Sequence, residues 1–77
     1  MTSALRYPVV LFYDERSPYC VAQVMPLRNR DTAGRLQLVA SSDPGGIRAR
    51  DANGRWLVGL MALEAAYRAA WAGEVSL

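Results

Sequence analysis

The sequence contains no histidine and no lysine, so all nine of its basic residues are arginines. Without histidine the chain lacks the commonest general base and metal ligand, and without lysine it cannot form a Schiff base. Its one cysteine, Cys20, cannot form a disulfide or a cysteine-based metal site within one chain. These absences exclude serine-protease-like and zinc-dependent catalysis and a secreted fold held by disulfides. We expect no bound metal and no resident cofactor.

Long apolar runs and a strong charge imbalance are also missing. No charge-free stretch approaches the roughly 18 residues that a membrane span needs, and the apolar run at 9–13 is too short for a signal peptide. The net charge of +2 is too small to indicate a nucleic-acid or membrane partner. We therefore predict a soluble cytoplasmic protein that binds neither nucleic acid nor a membrane.

The chain has 77 residues, of which 52% are apolar, and this is enough for one small domain. We interpret residues 1–77 as a single domain with short tails at 1–6 and 73–77. A domain of this size buries only roughly 60% of its unfolded surface, so a second copy that covers an apolar face would add stability. A homodimer is therefore expected.

Residue patterns predict the element order β-α-β-β-β-α. The apolar run at 8–13 is typical of a buried central strand. Ser17 and Pro18 indicate the start of a helix that ends near residue 29, because serine accepts backbone hydrogen bonds at an N-cap and proline fits the first turn. A second strand is predicted at 36–40. Its connection through a helix requires these two strands to be parallel.

The second half of the chain predicts a hairpin and a helix. Strands at 47–51 and 55–58 flank a turn with Asp at its first position and Gly at its fourth, which is typical of a type I turn with a left-handed glycine. Apolar spacing then predicts a helix over 60–72. The residues of this helix expected to face the core are Leu60, Leu63, Tyr67, Ala70 and Trp71.

The turn-rich segment 41–46 leaves no room for a third helix, so both helices can lie mainly on one face of a four-stranded mixed sheet. The opposite face would be open, with Arg48 and Arg50 alternating with apolar neighbours. We expect the homodimer to pack through this face or through an edge of the sheet. Pro44, in the same segment, is expected to be an ordinary trans turn proline.

The segment that could carry chemistry is Y-D-E-R-S-P-Y-C at 13–20, where the first strand meets the first helix. In a C-P-x-C enzyme the first cysteine attacks a disulfide from such a helix N-terminus, and the second resolves the mixed disulfide. The segment resembles the C-P-Y-C site of glutaredoxins and, more closely, the Y-D-G-x-C-P-x-C signature of the DCC family of thiol-disulfide oxidoreductases. Tyr13, Asp14, Pro18 and Cys20 match that signature, whereas Ser17 replaces its first cysteine and Glu15 its glycine.

Two further segments, in the same order, extend the resemblance over about residues 8–72. R-D-A-N-G-R at 50–55 looks like the family's D-A-D-G hairpin, and G-L-M-A-L at 59–63 looks like the opening of its last helix. The resemblance implies a minimal thioredoxin-like α/β domain. It also implies a thiol-disulfide site at Ser17, Pro18, Tyr19 and Cys20, supported by Tyr13 and Asp14.

Ser17 limits what this site can do. A serine hydroxyl has no thiolate form near neutral pH, so a dithiol cycle is excluded and Ser17 is interpreted chiefly as a helix cap. Cys20 lies on the apolar stripe of its helix, which favours an inert buried thiol. The leading hypothesis is a degenerate, non-catalytic domain that acts by binding or as a dimer.

Two alternatives remain open. Cys20 alone could be a monothiol oxidoreductase site that forms mixed disulfides with a protein thiol or with glutathione as co-substrate. Arg48, Arg50 and Arg55 could instead form a surface for an acidic partner. Nucleic acid is not expected there, because no aromatic residue is predicted to lie between these arginines and stack on bases.

Overall fold

The structure is a computed structural model that describes residues 5–30, 33–41 and 46–72. Along the chain the elements are β1 at Val9–Asp14, α1 at Pro18–Arg28, β2 at Leu36–Ser41, β3 at Arg48–Arg50, β4 at Trp56–Val58 and α2 at Leu60–Trp71. The predicted order is confirmed, and every element begins and ends within about one residue of its predicted bounds. Pro44 and most of the two predicted tails lie outside the described residues.

The four strands form one mixed sheet in the order β2-β1-β3-β4. β1 pairs with β2 in parallel, whereas the β1–β3 and β3–β4 pairs are antiparallel. β1 is therefore a central strand, as its unbroken apolar run predicts. The α/β class, the mixed four-stranded sheet and the parallel pairing of β1 with β2 are as predicted.

Both helices pack against the same face of this sheet. Val9, Leu11 and Tyr13 of β1 lie in one buried cluster with residues of α1 and α2. The Tyr67 hydroxyl of α2 also donates a hydrogen bond to the Gln23 carbonyl of α1 at 2.9 Å. Because side chains alternate along a strand, the other residues of β1 belong to the opposite face.

The prediction of which α2 residues face the core is confirmed for Ala70 and wrong for Leu60 and Trp71. Leu60 is 79% exposed and Trp71 is also exposed, while Leu63 and Tyr67 are half-buried. The core side of α2 consists of alanines, whose small side chains let the helix backbone approach the sheet closely. The larger side chains are consequently turned to the flanks of the helix. The buried residues of α2 are Ala62, Ala65, Ala66, Ala69 and Ala70.

Two arginines between α1 and β2 bind the C-terminal turn of α2. Arg35 Nε donates to the Ala69 carbonyl at 2.9 Å, and Arg30 Nε donates to the Ala70 carbonyl at 2.9 Å. The last carbonyls of a helix have no partner within it and lie at its negative end. These two guanidinium groups therefore fix the end of α2 to the loop that precedes β2.

The hairpin turn has the predicted geometry. Asp51 is buried, and its Oδ1 accepts hydrogen bonds from the backbone N–H groups of Asn53 at 2.9 Å and Arg55 at 3.0 Å. Gly54 has a φ of +84°, the left-handed conformation expected at this position. The hydrogen bond from the Arg55 N–H is the main cause that lowers the pKa of Asp51, although desolvation opposes it.

Candidate functional site

The junction of β1 and α1 brings Ser17 and Cys20 together at the start of the helix. Ser17 has an extended backbone, and its Oγ accepts a hydrogen bond from the Cys20 N–H at 3.3 Å. Pro18 is the first helical residue. This is the N-cap geometry predicted from the Ser-Pro pair. A hydroxyl that caps the helix thus stands where the family resemblance implies an attacking thiol.

Cys20 lies on the inner side of the first helical turn. Only 7% of the residue is exposed, and the buried residues that follow it on α1 are Val24 and Leu27. Its thiol is free. Thiol-disulfide exchange requires a second sulfur to approach the attacking sulfur, and a buried thiol restricts that approach. The structure therefore agrees with the interpretation of Cys20 as a small core residue.

An apolar groove of about 280 Å³ opens beside Cys20. Its rim includes two exposed side chains, Tyr19 at 66% and Leu60 at 79%. None of the described lining residues carries a charge. The groove lies between the first turn of α1, the segment before β3 and the start of α2. The residues that line it are Tyr19, Cys20, Gly46, Ile47, Gly59, Leu60 and Leu63.

Tyr13 and Asp14 support the junction from its two sides. Tyr13 is buried in the core cluster beneath the sheet. Asp14 Oδ1 accepts the Arg16 backbone N–H at 3.0 Å and lies 3.9 Å from Arg16 Nε. This carboxylate therefore shapes the turn that leads into α1. The supporting roles expected from the resemblance are compatible with these contacts.

The three arginines proposed as a common surface do not lie together. Arg48 and Arg50 pair with Phe12 and Val10 of β1, on the face that the helices leave uncovered. Arg55 lines a pocket with Glu64 of α2, on the helical side of the sheet. We call the uncovered face the open face. In the strand registers its main residues are Val10, Phe12, Val39, Arg48, Arg50, Trp56 and Val58.

The expectation that no aromatic residue accompanies Arg48 and Arg50 is wrong. The β3–β4 register pairs Arg50 with Trp56, and the Trp56 ring lies 5.6 Å from the Phe12 ring. The guanidinium groups of Arg48 and Arg50 lie 5.7 Å and 6.0 Å from the centre of the Trp56 ring. The signal was present in the sequence, because Trp56 is next to the core position Leu57 and must point the other way.

Within the three described ranges, no helix is long and apolar enough to cross a bilayer. The same residues contain no cluster of three or more side chains suited to hold a metal ion. Comparison of the chain with models of protein families, with curated proteins and with solved structures finds no match.

Proposed function

We propose that this protein is a thioredoxin-like domain, related to the DCC family, whose dithiol site is degenerate and which acts by binding rather than by thiol-disulfide exchange. The observation that carries the proposal is the hydrogen bond from the Cys20 N–H to Ser17 Oγ at 3.3 Å. It gives the serine a complete structural role as a helix cap. A hydroxyl in that place cannot start a dithiol cycle, because it has no thiolate form near neutral pH.

The monothiol alternative is less well supported by the same geometry. In a C-P-x-C pair, Cys20 would be the second cysteine, which resolves a mixed disulfide but does not begin the reaction. Only 7% of Cys20 is exposed, beside the apolar groove that it lines, so a protein thiol or glutathione has restricted access to the sulfur. We therefore expect no glutathione-dependent activity.

The homodimer remains part of this proposal, and the sheet edge suits it better than the open face. Two open faces packed together would bring four guanidinium groups, from Arg48 and Arg50 of each copy, into one interface. The edge strand β2, at Leu36–Ser41, carries no charged residue and can pair with a second copy of itself. A cytoplasmic location also belongs to the proposal, since a lone free thiol persists in a reducing compartment.

The rate at which Cys20 reacts with a thiol probe tests the proposed function. We expect the native protein to react at neutral pH at least about tenfold more slowly than the same protein unfolded in urea, because the native fold buries most of the cysteine. The matched control is Ala22→Cys in a Cys20→Ser background, because Ala22 is exposed on the same helix. This control should react close to the unfolded rate.

Two results would contradict the proposal. One is a native Cys20 rate equal to that of the unfolded chain, which would show an accessible thiol. The other is reduction of a protein disulfide or of glutathione-mixed disulfides by the unaltered chain, with loss of this activity in Cys20→Ser. Either result would favour the monothiol enzyme.

A further inference from the structure

The hairpin turn between β3 and β4 places an asparagine directly before a glycine. Asn53 is exposed, and Gly54 follows it with a φ of +84°. Because glycine has no side chain, nothing on residue 54 shields its backbone nitrogen from the Asn53 carboxamide. The other asparagine of the chain, Asn29, is also exposed, but it precedes Arg30, whose side chain hinders the same approach. The two asparagines therefore differ in the residue that follows them and not in their exposure.

An asparagine followed by glycine can react within its own chain. The Gly54 nitrogen attacks Asn53 Cγ and forms a bond to it, and the carboxamide nitrogen leaves as ammonia, taking up the proton that the Gly54 nitrogen loses. The product is a cyclic succinimide. Water, the co-reactant, then opens this ring at either of its carbonyl carbons. Opening at Cγ gives aspartate, and opening at the main-chain carbonyl gives isoaspartate, in which the main chain runs through Cβ and Cγ.

The native hairpin restrains the nitrogen that must attack. The Gly54 N–H donates a hydrogen bond to the Asp51 carbonyl at 2.9 Å, so the proton that has to leave is engaged. The Asn53 N–H donates to Asp51 Oδ1 at 2.9 Å, which fixes the backbone on the other side of the reacting carboxamide. Asp51 is itself buried and held in place. The bond from the Gly54 N–H has to break before its nitrogen can attack, so the reaction requires the turn to open.

We propose that Asn53 is a site of self-modification, which is converted to aspartate and isoaspartate through a succinimide with Gly54 at a rate set by local opening of the hairpin turn. Local opening of a surface turn requires less free energy than unfolding of the core. The inference concerns the hairpin alone and is independent of the thiol site and of the function proposed there.

The modification changes the hairpin that carries it. Isoaspartate adds one carbon to the main chain inside a turn whose length fixes the pairing of Arg50 with Trp56. Either product also adds a carboxylate beside Gly54, where Arg50 Nη2 lies 3.6 Å from the position that a Cβ would take. The isoaspartate form should therefore unfold at a lower temperature than the unmodified chain.

The test is incubation of the full chain in a warm, mildly alkaline buffer. Peptide mass spectrometry then measures the conversion of each asparagine, and enzymatic methylation of isoaspartyl groups measures the isomer. In the chain unfolded in urea we expect Asn53 to react faster than Asn29. Native Asn53 should react at least about tenfold more slowly than unfolded Asn53. Asp51→Ala, which removes the carboxylate that accepts from the turn, should accelerate the native reaction by about threefold or more.

Two further variants are the controls, with circular dichroism to confirm that each is folded. Asn53→Gln should abolish isoaspartate in the hairpin, because its longer side chain would have to close a larger ring. Ala66→Leu lowers the stability of the core without touching the turn, so it should leave the native rate at Asn53 unchanged. The comparison of native with unfolded chain needs no variant, so it tests the inference even where Asp51→Ala fails to fold.

Four results would overturn the inference. These are equal rates for Asn29 and Asn53 in the unfolded chain, equal rates for native and unfolded Asn53, and a native chain that forms no product at Asn53. The fourth is equal acceleration by Ala66→Leu and Asp51→Ala, which would assign the reaction to global unfolding instead of the turn.

Discussion

Replacing Ser17 by cysteine would give the chain a C-P-Y-C segment, the dithiol arrangement that its S-P-Y-C segment resembles. In the native chain Ser17 Oγ already reaches the first turn of α1, 3.3 Å from the Cys20 nitrogen. Residues three apart at a helix start lie on the same side of the helix, so the two sulfurs of Ser17→Cys can meet. We expect the variant to close a disulfide under mild oxidation and to show higher dithiol-reductase activity than the unaltered chain.

The size of the effect follows from two terms. Closing a loop of four residues removes unfolded-state entropy worth about 2 kcal/mol in the chain-entropy model. Loss of the capping hydroxyl costs about 1 kcal/mol, and it affects the oxidised and reduced variants alike. The oxidised form should thus be about 2 kcal/mol more stable than the reduced form. For a domain of this size, that is a difference in Tm of about 8 to 16 °C.

Thermal unfolding followed by circular dichroism, with and without reductant, measures this difference, and a thiol count confirms the oxidation state. Ser17→Ala is the matched control, because it loses the same cap but cannot form the bond, so reductant should not change its Tm. An intact fold that keeps both thiols free after oxidation would refute the placement of residues 17 and 20 in one helical turn.

Three further predictions concern the fold that holds the site. Ala66→Leu should lower the free energy of unfolding by about 1 to 3 kcal/mol, because the larger side chain overpacks the core. Leu60→Ala should change the free energy of unfolding by less than about 0.5 kcal/mol, because Leu60 is exposed. Urea denaturation of both variants checks the orientation of α2, and a larger loss for Leu60→Ala than for Ala66→Leu would contradict it. Arg35→Met should cost about 1 to 3 kcal/mol in the same assay, because it leaves the carbonyl of Ala69 without its partner, and a negligible loss would show that water replaces the guanidinium. The lowered pKa of Asp51 means that its charged form stabilises the native state fully above the unfolded pKa of about 4, and that this stabilisation is lost as the pH falls through the folded pKa. The difference in unfolding free energy between the native chain and Asp51→Asn should therefore shrink as the pH is lowered below about 4, and a difference independent of pH would contradict this role of the carboxylate.

The order and bounds of the elements were predictable because their causes are local. Ser17 and Pro18 start α1 through interactions within one helical turn, and Asp51 and Gly54 close the hairpin within four residues. The chemical limit on the site was also predictable. A serine has no thiolate form whatever fold surrounds it, so the exclusion of a dithiol cycle required no structure.

Only the tertiary structure decided which surfaces these elements present. Apolar spacing predicted that α2 is a helix, but alanines and larger apolar residues both repeat at helical spacing. The helix lies close to the sheet, and this close packing decides that the alanines form its buried side. Likewise, the ring of Trp56 meets Phe12 only because β4 and β1 both pair with β3 in a fixed register. A shift of one residue in that register would exchange the two faces of a strand. Pairing between distant segments of the chain, and not the local sequence, therefore places Trp56 beside Arg48 and Arg50. The same pairing places Arg55 on the helical side of the sheet.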